Sequence, residues 1–205
     1  MEKKMRVFLA VNFERPLQEE LAVIQEEMKK KTRGVRWVKP DLLHLTLKFL
    51  GETSSGDIDQ FAAPLQKAAG DMEAFQLSLA GLGAFPSPRN PRVVWIGVRE
   101  GVSQMGLLAG RIEQVFSTLK IKVLNDKDAR TATPGRPHLK PAFQPHLTLG
   151  RIKRETELHF PAELFQAPLV CKQVSHVDHF YLMKSDLYPS GPVYTPLREF
   201  MFSSS

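Results

Sequence analysis

His44-Leu45-Thr46-Leu47 and His146-Leu147-Thr148-Leu149 are two copies of one tetrapeptide, each set in an apolar run of strand-forming residues. Successive side chains of a strand point to opposite faces, so the histidine and threonine of each copy share one face. The two leucines share the other face and anchor it in a core. Each copy therefore presents an imidazole and a hydroxyl side by side on a rigid support. Two such strands facing a common groove bring two imidazoles and two hydroxyls onto one small group.

The surroundings of the tetrapeptide repeat as well: Lys39-Pro40 shortly precedes His44, and Lys140-Pro141 shortly precedes His146. This is the mark of an internal duplication. Its period is far longer than a solenoid repeat, so it implies two related lobes rather than an array. A single strand histidine is most often satisfied by a backbone carbonyl and has no further task. Two histidines in the same flanking sequence point instead to one composite site, with His44, Thr46, His146 and Thr148 as its members.

The composition bounds the rest. The chain has 205 residues, 42% of them hydrophobic and 24% charged, which is an ordinary globular balance with length enough for one domain of two joined lobes. The formal charge of +6 favours a polyanionic partner, although surface lysines kept for solubility give the same sum. Cys171 is the only cysteine, so no intrachain disulfide forms and a cysteine-rich metal site is excluded, as expected of a cytoplasmic protein. The apolar run from Met5 to Val11 is at the lower size limit for a signal peptide, lacks a small-residue cleavage site after it, and reads better as a first strand. No stretch has the length of a membrane span.

Along the chain, Leu17, Leu21, Ile24 and Met28 fall on one helical face. That helix is expected to begin at Pro16 and stop at Gly34, with Lys29, Lys30 and Lys31 complementing its carbonyl-rich end. The first motif strand is expected over 43–50. A second helix is expected over 54–70, with Pro64 awkward inside it. A half-buried strand follows over 75–82, then a Gly/Pro-punctuated loop over 81–91, a strand over 92–98 and a helix over 102–119. The basic, proline-containing stretch 125–143 reads as a long loop before the second motif. The second motif strand is expected over 144–153, with further strands over 173–183 and 193–202 separated by a turn-rich stretch over 185–192. Alternating elements followed by a strand-rich tail argue for an α+β protein with helices on one face of the sheet.

Histidine can act as base or acid near neutral pH. Two imidazoles on opposite sides of a phosphorus atom can divide an in-line displacement: the neutral one takes a proton from water and the charged one protonates the departing alkoxide. The threonine hydroxyls would donate to non-bridging oxygens as charge develops. This chemistry requires no metal and no cofactor. Other motifs are weaker. His176 and His179, spaced by three, fall on opposite faces of the strand expected there and make a poor metal site. Gly81-Leu82-Gly83 lacks the Gly-Lys-Ser/Thr of a phosphate-binding loop. Lys48 continues the His44/Thr46 face if the strand stays regular, and Arg151 turns toward the same cleft if a bulge follows Gly150. Trp95, Phe49 and Tyr194 are candidates to stack on a base.

With these residues in hand, the chain resembles the two-histidine phosphoesterases, in particular the bacterial and archaeal RNA 2',3'-cyclic phosphodiesterases once called 2'-5' RNA ligases. The resemblance rests on Arg36-Trp37-Val38-Lys39-Pro40 leading into His44-Leu45-Thr46-Leu47-Lys48-Phe49-Leu50-Gly51. It rests also on Phe85-Pro86-Ser87-Pro88-Arg89, Trp95-Ile96-Gly97-Val98, Pro145-His146-Leu147-Thr148-Leu149, and the closing Ser185 with Gly191-Pro192-Val193-Tyr194. It implies a bilobal, pseudo-symmetric fold of mainly antiparallel sheet with helices on the outer faces and a central cleft. It implies hydrolysis of a terminal 2',3'-cyclic phosphate on RNA to a 2'-phosphomonoester, with His44 as proton donor, His146 as proton acceptor, and Thr46 and Thr148 holding the phosphate. The geometry of the pair alone leaves the two roles interchangeable. RNA ends, including tRNA fragments, are the partners so implied, and a monomer is expected. Arg130, Arg136 and Lys140, in a stretch longer and more basic than the family leads one to expect, are further candidates for backbone contacts. The competing readings are reversible 2'-5' joining, a phosphodiesterase of small cyclic nucleotides, and an RNA-end-binding module without catalysis.

Overall fold

The structure, a computed structural model, describes residues 4–119, 143–153 and 157–203. The basic stretch 125–143 therefore lies outside the described residues apart from Phe143.

The described elements run β1 (Met5–Asn12), α1 (Arg15–Lys31), β2 (Val35–Trp37), β3 (His44–Thr53), α2 (Ser55–Gly70), β4 (Phe75–Ser87), β5 (Asn90–Glu100), α3 (Val102–Leu119), β6 (His146–Ile152), β7 (Val170–Val177), β8 (His179–Tyr188) and β9 (Gly191–Met201). Together they make the α+β architecture expected: a mostly antiparallel sheet with three helices. The strand order is β7-β4-β5-β6-β3-β1-β8-β9, with β2 added beside β6. The two motif strands are thus central neighbours, with three strands outside each. Their shared register pairs Leu45 with Leu147.

Strand β1 is apolar on both faces because both are covered, as in a strand deep inside a sheet. Val7, Leu9 and Val11 join the main core with Leu45, Leu47, Leu147 and Leu149. Phe8 and Ala10 face the other way and form a small cluster with Met183, flanked by Tyr181 and Tyr194. Helix α1 buries Leu17, Leu21 and Met28 as its periodicity predicts, and also Gln25. Helix α2 begins at a reciprocal cap, in which Ser54 accepts from the Asp57 amide and Asp57 accepts from the Ser54 amide. The helix continues through Pro64. No helix among the described residues is long and apolar enough to cross a membrane.

Three expectations are corrected. The punctuated stretch 81–91 is mostly a hairpin: β4 runs on to Ser87 and β5 begins at Asn90. Gly83 sits inside that strand because Trp95 lies across it; a Cβ there would stand 2.1 Å from the indole. The run 173–183 is two strands broken at Asp178, which puts His176 on β7 and His179 on β8. The stretch 185–192 is largely strand, since β8 reaches Tyr188 and pairs directly into β9.

Gln25 is buried, and its amide nitrogen is fully used. Its Nε2 donates to the Val38 carbonyl at 2.9 Å and to the Leu149 carbonyl at 3.0 Å, tying α1 to the second motif strand and to the segment leading into the first. The Leu149 carbonyl also accepts from the Val38 amide at 2.9 Å, so replacing Gln25 with a near-isosteric apolar residue leaves the Val38 carbonyl as the one short of its donor, a cost of about 1–3 kcal/mol. Gln25→Leu is expected to lower the midpoint of thermal unfolding by several degrees in calorimetry; an unchanged midpoint would show that the latch carries no stability.

Candidate active site

The site forms where β3 and β6 meet. Their antiparallel pairing at Leu45 and Leu147 sets His44 across from Thr148 and Thr46 across from His146, all on the face opposite the leucines. The structure thus brings together the four residues singled out in the tetrapeptides.

Each imidazole is held in the same way. The Nδ1 of His44 is 2.8 Å from the carbonyl of Leu42, and the Nδ1 of His146 is 2.7 Å from the carbonyl of Gln144, two residues back in both cases. A carbonyl can only accept, so Nδ1 carries the proton and Nε2 is left to do chemistry. Both rings are walled by aromatics. His44 lies 4.9 Å from Phe8 and 5.3 Å edge-on from Tyr194. His146 lies 4.9 Å edge-on from Phe85 and 5.9 Å from Trp95. Among the described residues, neither threonine hydroxyl is held by a hydrogen bond, so both can donate to a ligand.

Burial among these rings pushes both histidines below the ordinary imidazole value; the carbonyl bonds oppose this, and the nearby Arg151 guanidinium adds to it. Burial also raises the Tyr194 phenol, against a lowering by Arg151 and Arg6. One guanidinium therefore acts on His44, His146 and Tyr194 alike.

A pair of bulges explains where Arg151 and Lys48 go. In β3 the pairing with β1 steps from Ala10 opposite Thr46 to Leu9 opposite Lys48, which leaves Leu47 as an extra residue. In β6 the pairing with β5 steps from Trp95 opposite Thr148 to Val94 opposite Gly150, which leaves Leu149 extra. The fourth residue of each tetrapeptide is thus a bulge, and a bulge reverses the alternation of faces that follows it. Arg151 is thereby brought to the cleft face. Lys48 is turned away, contrary to the regular-strand expectation: its Nζ pairs with Glu113 at 2.5 Å and lies 5.7 Å from the Phe116 ring centroid, both on α3. Phe49 takes the cleft-facing place instead, 6.0 Å from Phe8.

Sequence reasoning missed the roles of Phe8 and Phe85 as ring walls. Phe8 reads as one more apolar residue of a buried strand, and Phe85 was hidden in an apparent loop. It also left Arg36 without a task of its own. Arg36 pairs directly with Arg151 across β2 and β6, and both are exposed. Like charges directly opposite are destabilising, and neither has a carboxylate partner among the described residues. Such a pair favours an anion between them.

Other reactive groups stand apart. His179 engages Asp178 at 2.5 Å and Glu199 at 3.6 Å, while His176 is exposed on its own strand. Burial pushes the Cys171 thiol up to about 12, so it stays protonated and is a poor nucleophile.

Known proteins resemble this chain over nearly its whole length. Residues 11–95 match the family model described as LigT like Phosphoesterase. An RNA 2',3'-cyclic phosphodiesterase of Archaeoglobus fulgidus is 35% identical over 96% of this chain and 99% of its own length. Another, of Methanothermobacter thermautotrophicus, is 31% identical over 96% and 98%. The crystal structure of TT0787 of Thermus thermophilus superposes with a TM-score of 0.75 at 30% identity, covering 96% of this chain and 97% of that one. On sequence, fold and relatives together, the chain belongs to the LigT-like phosphoesterase family.

Proposed function

We propose that the chain hydrolyses the terminal 2',3'-cyclic phosphate of RNA to a 2'-phosphomonoester by general acid–base catalysis on its two imidazoles. The observation that carries this reading is the matched anchoring of His44 and His146, each with Nδ1 on a carbonyl and Nε2 left for proton transfer. The full-length relatives named RNA 2',3'-cyclic phosphodiesterase supply the substrate.

In this mechanism His146, neutral, takes a proton from water at Nε2 as the oxygen attacks phosphorus. His44, as imidazolium, gives its Nε2 proton to the 3'-oxygen that leaves. Thr46 and Thr148 donate to the non-bridging oxygens, and Arg151 offsets their charge. Acid, base and hydroxyl donors together suffice without a metal ion. The assignment of donor and acceptor follows the family resemblance, because the two halves present both histidines alike. The same groups run the same displacement with a 5'-hydroxyl in place of water, again expelling the 3'-oxygen, which is 2'-5' joining; its reverse cleaves the 2'-5' linkage. We place the activity in the cytoplasm, acting as a monomer on RNA ends such as those of tRNA fragments.

The direct test is an oligoribonucleotide ending in a 2',3'-cyclic phosphate, incubated with the protein and EDTA. A 2'-phosphate product is expected, with His44→Ala and His146→Ala each lowering the rate by about 10²–10⁴-fold, the usual contribution of a positioned acid or base. Product formed only with added divalent ion, or undiminished in both variants, overturns the proposal.

Since burial and Arg151 both lower the two histidines, the limbs of the pH profile of kcat/KM should lie on the acid side of roughly 6.5. The imidazolium that serves as acid is lost as pH rises through its lowered value, so activity falls early on the alkaline side. Arg151→Ala removes one lowering influence from both rings. Its profile should move toward higher pH while KM rises. Lys48→Met, by contrast, should leave KM and the profile where they are. Identical profiles for wild type and Arg151→Ala would remove the arginine from the site.

A further inference from the structure

Strand β2 is only three residues long and, among the described residues, pairs with β6 alone. It is held there at both ends: the Lys153 amide donates to the Gly34 carbonyl at 2.8 Å, and the Val38 amide donates to the Leu149 carbonyl at 2.9 Å. Gly150 lets the two strands lie close, since a Cβ there would stand 2.7 Å from Val35 and 3.2 Å from Trp37. Trp37 packs against the main core, so Arg36 beside it faces the other way, into the cleft. The register sets Arg36 directly opposite Arg151. A short strand with no other partner thus fixes one guanidinium against another.

Both arginines are exposed, and among the described residues neither meets a carboxylate. The residue opposite Arg151 on its other side is Val93 of β5, which has no charge to offer. Two facing guanidiniums repel unless an anion lies between them. The reacting phosphate does not account for both. The charges that lower His44 and His146 include Arg151 and not Arg36. Along β6, Arg151 stands three residues beyond Thr148, roughly 10 Å of strand, and Arg36 lies across from it. Arg36 therefore calls for a second anion. An RNA end supplies one, the phosphodiester on the 5'-oxygen of its terminal nucleotide. A strand entering with a 5'-hydroxyl carries no phosphate at that carbon, and its nearest phosphodiester is one nucleotide further off.

We infer that Arg36 and Arg151 together hold the first phosphodiester upstream of the cyclic phosphate, and that Arg36 makes the protein favour an RNA end over a lone nucleotide. The inference rests on the reaction proposed for the site and extends it by one link of the substrate chain. A guanidinium carries five N–H donors, so Arg151 can serve the reacting phosphate from one edge and its neighbour from another. Arg36 serves the neighbour alone. A phosphodiester presents two non-bridging oxygens, one for each guanidinium. The contact is to the backbone, so it sets affinity and strand direction and carries no preference among bases.

Equilibrium titration with adenosine 2'-monophosphate and adenosine 2',5'-bisphosphate needs no turnover, and the second ligand adds a phosphate where the upstream one stands. Wild type should bind the bisphosphate about fivefold tighter, the upper end for one exposed ion pair. Arg36→Ala should bring the two affinities together, and Arg36→Lys should keep part of the difference. Lys67→Ala, which removes one charge from the last turn of α2, should keep all of it. In turnover, Arg36→Ala should raise KM several-fold more for a dinucleotide ending in a cyclic phosphate than for adenosine 2',3'-cyclic phosphate. The slope of log kcat/KM against log salt for the dinucleotide should become shallower by roughly 0.7, one phosphate contact of a single strand. Equal wild-type affinity for the two nucleotides, or a preference that survives in Arg36→Ala, overturns the subsite even where hydrolysis proceeds. Losses of equal size on both ligands place Arg36 on the reacting phosphate and overturn it as well. A preference that Arg36→Ala abolishes in a protein without hydrolysis upholds the subsite and overturns the reading of the function instead.

Discussion

The pairing of Leu45 with Leu147 is the constraint on which the site depends. It joins the two halves of the sheet, and it does so at the second residue of each tetrapeptide. Both leucines are fully buried, so hydrophobic burial on one face fixes the relation of polar groups on the other. A slip of one residue in either strand would send its histidine and threonine into the core and its leucines into the cleft. Register and chemistry are therefore set by the same apolar contact.

The bulges add a second layer of control. Each tetrapeptide ends on the residue that breaks regular alternation, and the side chain four places beyond Leu45 or Leu147 is redirected as a result. In one half that side chain is Phe49, and in the other it is Arg151. The matching bulges of β3 and β6 thus offer two equivalent cleft positions, one given to an apolar ring and one to a guanidinium. Helix α1 reinforces the second bulge from behind, because Gln25 donates to the carbonyl of the extra residue, Leu149, alongside the Val38 amide. Buried amide, bulge and arginine form one connected path from the core to the cleft face.

Much of this was legible in the residues themselves. The spacing of His and Thr in the tetrapeptides defines their shared face without any knowledge of the fold, and the 3.6-residue periodicity of 17–28 and 102–119 marks α1 and α3. What failed was regularity. Lys48 was placed by strict alternation, and Leu47 breaks it, since a bulge depends on the partner strand's register and leaves no local mark in Leu-Lys-Phe. The 81–91 stretch misled because glycine and proline signal loops on average, whereas here Gly83 makes room for Trp95, a contact invisible until β4 and β5 pair. Asp178 divides two strands that read as one because apolar character continues on both sides of it.

The carbonyl bonds at both Nδ1 atoms have a consequence for the catalytic cycle. After one hydrolysis in the proposed mechanism, the base is left protonated and the acid is left neutral, so the protein finishes in the opposite protonation state from its start. A ring free to flip could exchange its proton through either nitrogen. These rings are pinned, and every proton must leave or enter through Nε2, on the side where product lies. Recovery is then gated by departure of the product and entry of water to the cleft, which makes release and resetting a single event.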